Sequence, residues 1–141
     1  MSIKIDRNHI FIDTNVLVGW FMEYKDDRDC LKYLFSLTGK KLYVSTLSIA
    51  QLVSILQNSK VKKDEVTKLV KYFSTKFTFI NFNEPDVYEA IDMENPDIED
   101  NIQYVLSQKK HCQFIVTNNI KDYTKYRLVN IVSPDSIRKI F

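Results

Sequence analysis

Two apolar segments of the chain each end in a run of polar side chains whose types could bind a cation. After residues 9–12 (HIFI) come Asp13, Thr14 and Asn15, and after residues 113–116 (QFIV) come Thr117, Asn118 and Asn119, with Asp122 three residues further on. In a parallel α/β sheet, ligands bind beyond the carboxyl ends of the strands. A carboxylate there can face a solvent-filled cleft, and several converging carboxylates could hold a divalent ion.

A third polar run, residues 97–103 (DIEDNIQ), opens a predicted helix. Asp100 lies two residues from both Ile98 and Ile102, which is about 200° around the helix from that apolar stripe. Asp97 lies one turn before Asp100 on a neighbouring face. Neither carboxylate is therefore expected to be tied up in the core.

Each of these acids also has a purely structural interpretation. Asp13 could cap the helix that starts at Thr14, because an Asp side chain accepts backbone N–H bonds at that position. Asp97, Glu99 and Asp100 could simply favour the positive end of a helix dipole. Asp122 could be a turn residue.

Short apolar segments that alternate with amphipathic segments predict the elements that must position these side chains. The predicted strands are residues 9–12, 41–45, 77–82, 113–117 and 128–132. Helices are predicted over residues 14–23, 26–38, 46–59, 62–76, 84–93, 96–110 and 134–141. This alternation is typical of an α/β fold, a three-layer α/β/α sandwich with a central, mostly parallel sheet of roughly four to five strands.

Two of the predicted helices have explicit start signals. Asn95 is expected to cap the helix that carries Asp100, with Pro96 as its first residue. Its buried stripe is predicted to consist of Ile98, Ile102, Val105 and Leu106. Ser133 is expected to cap the last helix.

The composition bounds the class of protein. The 141 residues, 45% of them hydrophobic, suit a single domain over residues 1–141 with its own core. A formal net charge of +2 does not by itself indicate a nucleic-acid partner. Basic residues gather in residues 60–71 and 109–111, either as solvated helix faces or as a rim that contacts phosphates.

Neither a signal peptide nor a membrane span is apparent, and the two Cys residues form no metal-binding or disulfide pattern, so a cytoplasmic protein is expected.

The order of these motifs resembles the PIN domain family, over nearly the whole chain. Small prokaryotic members have a first strand that ends in Asp, Thr or Ser, and Asn, as Asp13, Thr14 and Asn15 do here. In the family, an acid of a later helix corresponds to Asp100, with Asp97 as a frequent companion. Thr117, Asn119 and Asp122 match the segment after the family's next strand.

This resemblance implies a metal-dependent endoribonuclease of the type found as the toxin in toxin–antitoxin pairs. Asp13, Asp100 and Asp122 would hold Mg²⁺ or Mn²⁺, with Asp97 as an additional ligand candidate. The metal would activate water for attack on an RNA phosphodiester. Asn15 and Thr117 would orient the ligands or the water, supported by Thr14, Gln51 and Asn119. Family members also suggest a separate antitoxin protein and a homodimer.

One residue departs from the family pattern. The helix after the second strand usually carries Glu where this chain has Gln51. Gln keeps a neutral oxygen but removes one negative charge, so weaker metal binding is expected. The alternative function is therefore a catalytically weakened or inactive PIN-fold module that binds RNA or protein. Tyr123 and Tyr126 would either stack on bases or cover the edge of the sheet.

Overall fold

The computed structural model of the protein describes residues 6–141, with side chains described from Asn8 onward. Expectations about the first five residues lie outside this range. Five strands are present: β1 (Asp6–Ile12), β2 (Lys41–Ser45), β3 (Thr78–Ile80), β4 (Cys112–Val116) and β5 (Asn130–Val132). The α-helices are α1 (Thr14–Phe21), α2 (Lys25–Ser36), α3 (Thr46–Asn58), α4 (Lys63–Lys76), α5 (Glu84–Ile91), α6 (Ile98–Lys109) and α7 (Ile120–Tyr123). A 3₁₀ helix follows at Pro134–Lys139.

The strands form one sheet in the order β3-β2-β1-β4-β5, and every neighbouring pair is parallel. The last three residues of the central strand β1, Ile10, Phe11 and Ile12, are buried on alternating faces of the sheet, which is why this end of the strand is apolar throughout. Ile10 and Ile12 belong to a core shared with α1–α4 and the 3₁₀ helix. Phe11 belongs to a second core shared with α5–α7. The predicted three-layer α/β/α sandwich is confirmed, with five parallel strands.

The sheet order brings the two polar strand ends together. β1 and β4 are neighbours, and Ile12 pairs with Val116 at their last position. The backbone N–H of Asp13 donates to the carbonyl of Val116 at 2.9 Å. Asp13 and Thr117 therefore leave adjacent strands side by side.

The predicted start of α6 is wrong. Asp97, and not Asn95, is the N-cap residue, and its Oδ1 accepts from the backbone N–H of Asp100 at 3.0 Å. Asn95 instead donates from Nδ2 to the hydroxyl of Tyr126. Ile98 is also wrongly placed in the buried stripe, because it is 46% exposed. Asn101 takes the buried position of this first turn, where its amide donates to the carbonyls of Ala90 and Asn95.

Two other predicted helices differ at their ends. The last is a 3₁₀ helix, and Ser133 precedes it without making a side-chain cap bond. The Ser133 hydroxyl is instead bonded to the Ser136 hydroxyl at 2.7 Å. α1 ends at Phe21, two residues early, because Glu23 adopts a φ of 61° that no helix can continue. Within residues 6–141, no helix has the length and apolar character needed to cross a membrane.

Candidate functional site

Asp13 is a buried carboxylate held by several hydrogen bonds. Its Oδ1 accepts from the backbone N–H of Thr14 at 2.9 Å, so Asp13 does cap α1. Its Oδ2 accepts from the Thr117 hydroxyl at 2.8 Å and from Asn15 Nδ2 at 3.1 Å. Burial raises the pKa of Asp13, and the bonds from Thr117 and Thr14 oppose that rise. Oδ1 accepts one of these three bonds, and a carboxylate oxygen can accept about two.

Thr117 and Asn15 join the ends of β1 and β4. The Thr117 hydroxyl donates to Asp13 and accepts from Asn15 Nδ2 at 3.1 Å and from the backbone N–H of Asn119 at 3.0 Å. Asn15 Oδ1 accepts from the backbone N–H of Asn118 at 3.0 Å. The predicted supporting position Asn119 therefore acts here through its backbone. These bonds fix the direction in which the Asp13 carboxylate points.

The acids of α6 and α7 share an electrostatic environment with Asp13. The pKa of Asp100 is raised to about 7, first by burial and then by the negative charges of Asp97, Asp122 and Asp13. A side-chain hydrogen bond with Asp97 contributes to the same rise. Asp13, Asp97, Asp100 and Asp122, the four predicted acids, therefore belong to one negatively charged region. A bound cation would reduce the repulsion between their carboxylates.

This region suits a hydrated cation better than a closed protein cage. In residues 6–141, no three His, Cys, Asp or Glu side chains lie close enough together to hold a metal ion by themselves. Mg²⁺ commonly keeps several of its waters and binds through one or two carboxylates plus a substrate phosphate. Hard carboxylate oxygens are the donors that Mg²⁺ and Mn²⁺ prefer. The donor chemistry and the accumulated negative charge fit such an ion.

A cleft of about 1240 Å³ opens in front of these residues. Asp13, Thr14, Asn15, Gln51, Asp100 and Asn119 line it, whereas Asp97, Asp122 and Thr117 do not. Apolar side chains from three segments, namely Val18, Tyr24 and Ile55, line it as well. Glu99, Asp27 and Gln103 also line the cleft.

Those last three residues were missed as site residues from the sequence. Glu99 neighbours Asp100 but is fully explained by its place in the first turn of a helix. Asp27 falls in the first turn of the helix predicted over residues 26–38 and carried no other prediction. It is instead 3% exposed, and its Oδ1 accepts from Asn118 Nδ2 at 2.9 Å. Nothing in the sequence distinguishes Gln103 from an ordinary polar residue of an amphipathic helix, so it could not be recognised as a site residue.

The two tyrosines near the cleft do not offer stacking surfaces. Tyr123 is 1% exposed and Tyr126 is 6% exposed. Tyr123 hydrogen-bonds the Asp13 carboxylate, and its pKa is raised, first by burial and then by the charge of Asp13. Tyr126 stacks on Tyr104 with ring centres 4.4 Å apart and donates to Asn101 Oδ1. The alternative that they cover the sheet is the correct one.

Gly19 of α1 makes room for the buried Asp27 carboxylate. A Cβ atom at residue 19 would lie 1.7 Å from Asp27 Oδ2. Gly19→Ala should therefore displace Asp27, break its bond to Asn118 and lower the free energy of unfolding by about 1–3 kcal/mol. Helix propensity alone predicts the opposite, a gain of about 1 kcal/mol. Urea unfolding of the variant measures which effect is larger.

A double-mutant cycle isolates the contact between residues 19 and 27. If the clash causes the loss, Gly19→Ala should cost much less in an Asp27→Ala background, where no carboxylate occupies the space. A stabilising Gly19→Ala, or the same loss in both backgrounds, would contradict this account of Asp27.

Sequence comparison finds a characterised relative of similar length. The ribonuclease VapC1 of Aquifex aeolicus (strain VF5) is 26% identical over 126 residues, which cover 85% of this chain and 88% of that protein.

Several solved structures share the fold. A toxin–antitoxin complex from Klebsiella pneumoniae has a chain that matches with a TM-score of 0.68 at 16% identity, over 89% of this chain and 97% of that chain. VapBC2 from Rickettsia felis, bound to a DNA fragment from its promoter, matches with a TM-score of 0.65 at 17% identity, over 89% and 98%. VapC20 of Mycobacterium tuberculosis, a toxin that cleaves the sarcin–ricin loop, matches with a TM-score of 0.59 at 14% identity, over 75% and 86%.

A family model also matches most of the chain. The model described as PIN domain matches residues 9–121 of the 141-residue chain. This span contains Asp13, Gln51 and Asp100, and it ends one residue before Asp122. The protein therefore belongs to the PIN domain family.

Proposed function

We propose that the protein is a metal-dependent endoribonuclease that hydrolyses RNA phosphodiester bonds as a toxin. The observation that carries this proposal is that Asp13, which directly follows β1, and Asp100 line the same cleft, and that Asp100 also senses the charges of Asp97 and Asp122. Family membership and a relative named as a ribonuclease support the same activity. A carboxyl in a cleft whose pKa is raised by burial and by neighbouring acids, as that of Asp100 is, is a feature of many catalytic sites.

Mg²⁺ or Mn²⁺ would be held by Asp13, Asp100 and Asp122, with Asp97 as a further ligand. When bound, the ion supplies an activated water and positive charge beside the phosphate. Asp13 brings Oδ1, which accepts from the Thr14 N–H, whereas Oδ2 accepts from both Thr117 and Asn15. Asp100 and Asp122 come from the first turns of α6 and α7.

The remaining side chains prepare this arrangement. Thr117 and Asn15 fix the Asp13 carboxylate, as the partners of a metal ligand commonly do. The pKa of Asp100 is raised to about 7 and its side chain is hydrogen-bonded to that of Asp97, so a proton held by Asp100 limits the repulsion before a cation binds. The cleft of about 1240 Å³ in front of these residues would receive the RNA.

We also propose that a separate antitoxin protein covers the cleft. Tyr24 and Ile55 line it and are 57% and 43% exposed, so a partner segment could bury them. Two of the solved structures that share the fold are described as complexes with an antitoxin or as VapBC. A homodimer is part of the same proposal by analogy with the family.

An RNA cleavage assay with defined cation content tests the function. Wild-type protein should cleave total RNA in the presence of Mg²⁺ or Mn²⁺, and an excess of EDTA should stop this cleavage. Asp122→Asn should reduce the rate at least about 100-fold, because a lost metal ligand should cost no less than a lost supporting residue. Asp122 is exposed, so its replacement should leave the fold intact.

A matched control separates this loss from a general effect of charge. Asp64 lies exposed in the first turn of α4, outside the residues that line the cleft, so Asp64→Asn should cleave like the wild type. RNA binding without cleavage, unchanged by EDTA, would instead support the alternative of an inactive RNA-binding module.

A further inference from the structure

Gln51 does not direct its oxygen toward the acids of the cleft. Its Oε1 accepts from the Thr14 hydroxyl at 2.6 Å. Its Nε2 donates to Glu99 Oε1, across from α3 to the first turn of α6. The side chain that stands where the family usually has Glu is therefore occupied in holding another carboxylate.

The protons that each group carries decide which atom donates and which accepts in the hydrogen bonds around Gln51. An ionised carboxylate only accepts, so Glu99 must face the amide nitrogen of Gln51, and Oε1 must face Thr14. The Thr14 hydroxyl has one proton, which this arrangement commits to Gln51. Ser48, whose hydroxyl lies 2.7 Å from that of Thr14, must then donate to it.

The series of hydrogen bonds continues from Ser48 into the core. Gln103 Nε2 donates to the Ser48 hydroxyl at 2.9 Å, and the Ser45 hydroxyl donates to Gln103 Oε1 at 2.7 Å. Ser45, Ser48 and Gln103 are at most 2% exposed. A buried chain of donors thus runs from the end of β2 to Glu99, and each bond polarises the next.

This chain reduces the freedom of an otherwise exposed side chain. Glu99 lies in the first turn of α6, beside Asp100, and lines the same cleft. An unrestrained surface Glu loses rotamer entropy when it binds a ligand. Gln51 has already removed part of that freedom by holding one carboxylate oxygen, and among residues 8–141 the other oxygen, Oε2, has no hydrogen-bond partner.

We propose that Glu99 supplies the carboxylate that residue 51 lacks, as a ligand of the hydrated divalent cation, and that Gln51 is its positioning residue. This inference rests on the proposed metal-dependent function. It also explains why the chain can have Gln51 where the family usually has Glu. The carboxylate that is missing from α3 is supplied by Glu99 of α6, across the same cleft, so the number of acids at the site is unchanged.

A purely structural role for Glu99 makes a different prediction. An acid in the first turn of a helix stabilises the fold slightly through the helix dipole. Its loss would lower stability slightly and leave metal affinity unchanged. Glu65 occupies the equivalent first turn of α4, away from the cleft, and serves as the matched control.

Titration of metal-free protein with Mn²⁺ alone, followed by calorimetry, tests the inference without any RNA. We expect Glu99→Gln to weaken Mn²⁺ binding at least about 10-fold, and Gln51→Leu to weaken it in the same direction, as changes around a metal ligand do. Glu65→Gln should bind like the wild type. Thermal unfolding without metal should confirm that all three variants fold.

Asp100→Asn separates failure of the inference from failure of the function. If Asp100→Asn loses Mn²⁺ binding while Glu99→Gln binds like the wild type, Glu99 is not a ligand and the inference is overturned, although the proposed function stands. If Glu99→Gln weakens binding but Gln51→Leu does not, the positioning role of Gln51 is overturned. If the wild type itself binds no Mn²⁺ at millimolar concentration, both proposals fail.

Discussion

Thr117→Val is expected to lower the free energy of unfolding by about 2–4 kcal/mol although it barely changes the shape of the side chain. The Thr117 hydroxyl is fully buried and takes part in three hydrogen bonds, with Asp13, Asn15 and the backbone of Asn119. Val removes all three and leaves the Asp13 carboxylate short of a donor. Urea unfolding measures the loss directly.

The same substitution should weaken Mn²⁺ binding about 10–100-fold, since the bond from Thr117 both orients Asp13 and favours its charged form. Thr117→Ser is the control, because it keeps the hydroxyl and removes one methyl group, at a cost of about 1 kcal/mol. Equal losses of stability and affinity in the two variants would show that packing, and not the hydroxyl, is what matters at this position.

The part of the site on the strand ends could be predicted because it depends on local rules. An apolar strand followed by Asp13, Thr14 and Asn15 has to place those residues at the carboxyl end of a parallel sheet. The same reasoning places Thr117. Asp13 then turned out to be a helix cap and a candidate ligand at once, since its two oxygens face different partners. The two interpretations of the sequence were never exclusive.

Other parts of the site depend on contacts between segments that are distant in the sequence, so no local sequence pattern predicts them. Gly19 and Asp27 matter only because α1 and α2 pack closely at that point. Gln51 meets Glu99 only because α3 and the start of α6 reach the same cleft. The start of α6 was misplaced for a similar reason: Asn95 is a good cap by type, but its side chain is taken by Tyr126, 31 residues away.

In the presence of EDTA, the melting temperature of the wild type should fall as the pH rises from 5 to 8. The pKa of Asp100 is raised from 3.8 to about 7, so the folded protein keeps a proton that the unfolded chain has already lost. The stability that this proton provides is complete below about pH 4 and disappears as the pH passes 7. With allowance for solvent screening at a partly exposed carboxyl, we expect a loss of about 1–2 kcal/mol, or a few degrees.

Asp100→Asn should flatten most of this slope and raise the melting temperature at pH 8, because the amide carries no charge toward Asp97, Asp122 and Asp13. Some slope should persist, since the pKa of Asp13 and that of Asp27 are also raised. Asp29→Asn should leave the slope unchanged, because Lys25 lowers the pKa of Asp29 and that carboxylate is ionised throughout this range. A wild-type melting temperature that is independent of pH would contradict the crowding of these acids.

Mn²⁺ should oppose the same pH effect. A cation binds the ionised form of Asp100, so it must displace the proton that the folded protein holds below pH 7. The rise in melting temperature at a fixed Mn²⁺ concentration should therefore be larger at pH 8 than at pH 5.5, in proportion to the logarithm of the change in affinity. Asp100→Asn should lose both the rise and its pH dependence. A rise that is equal at both pH values would mean that the ion binds without Asp100, away from this group of acids.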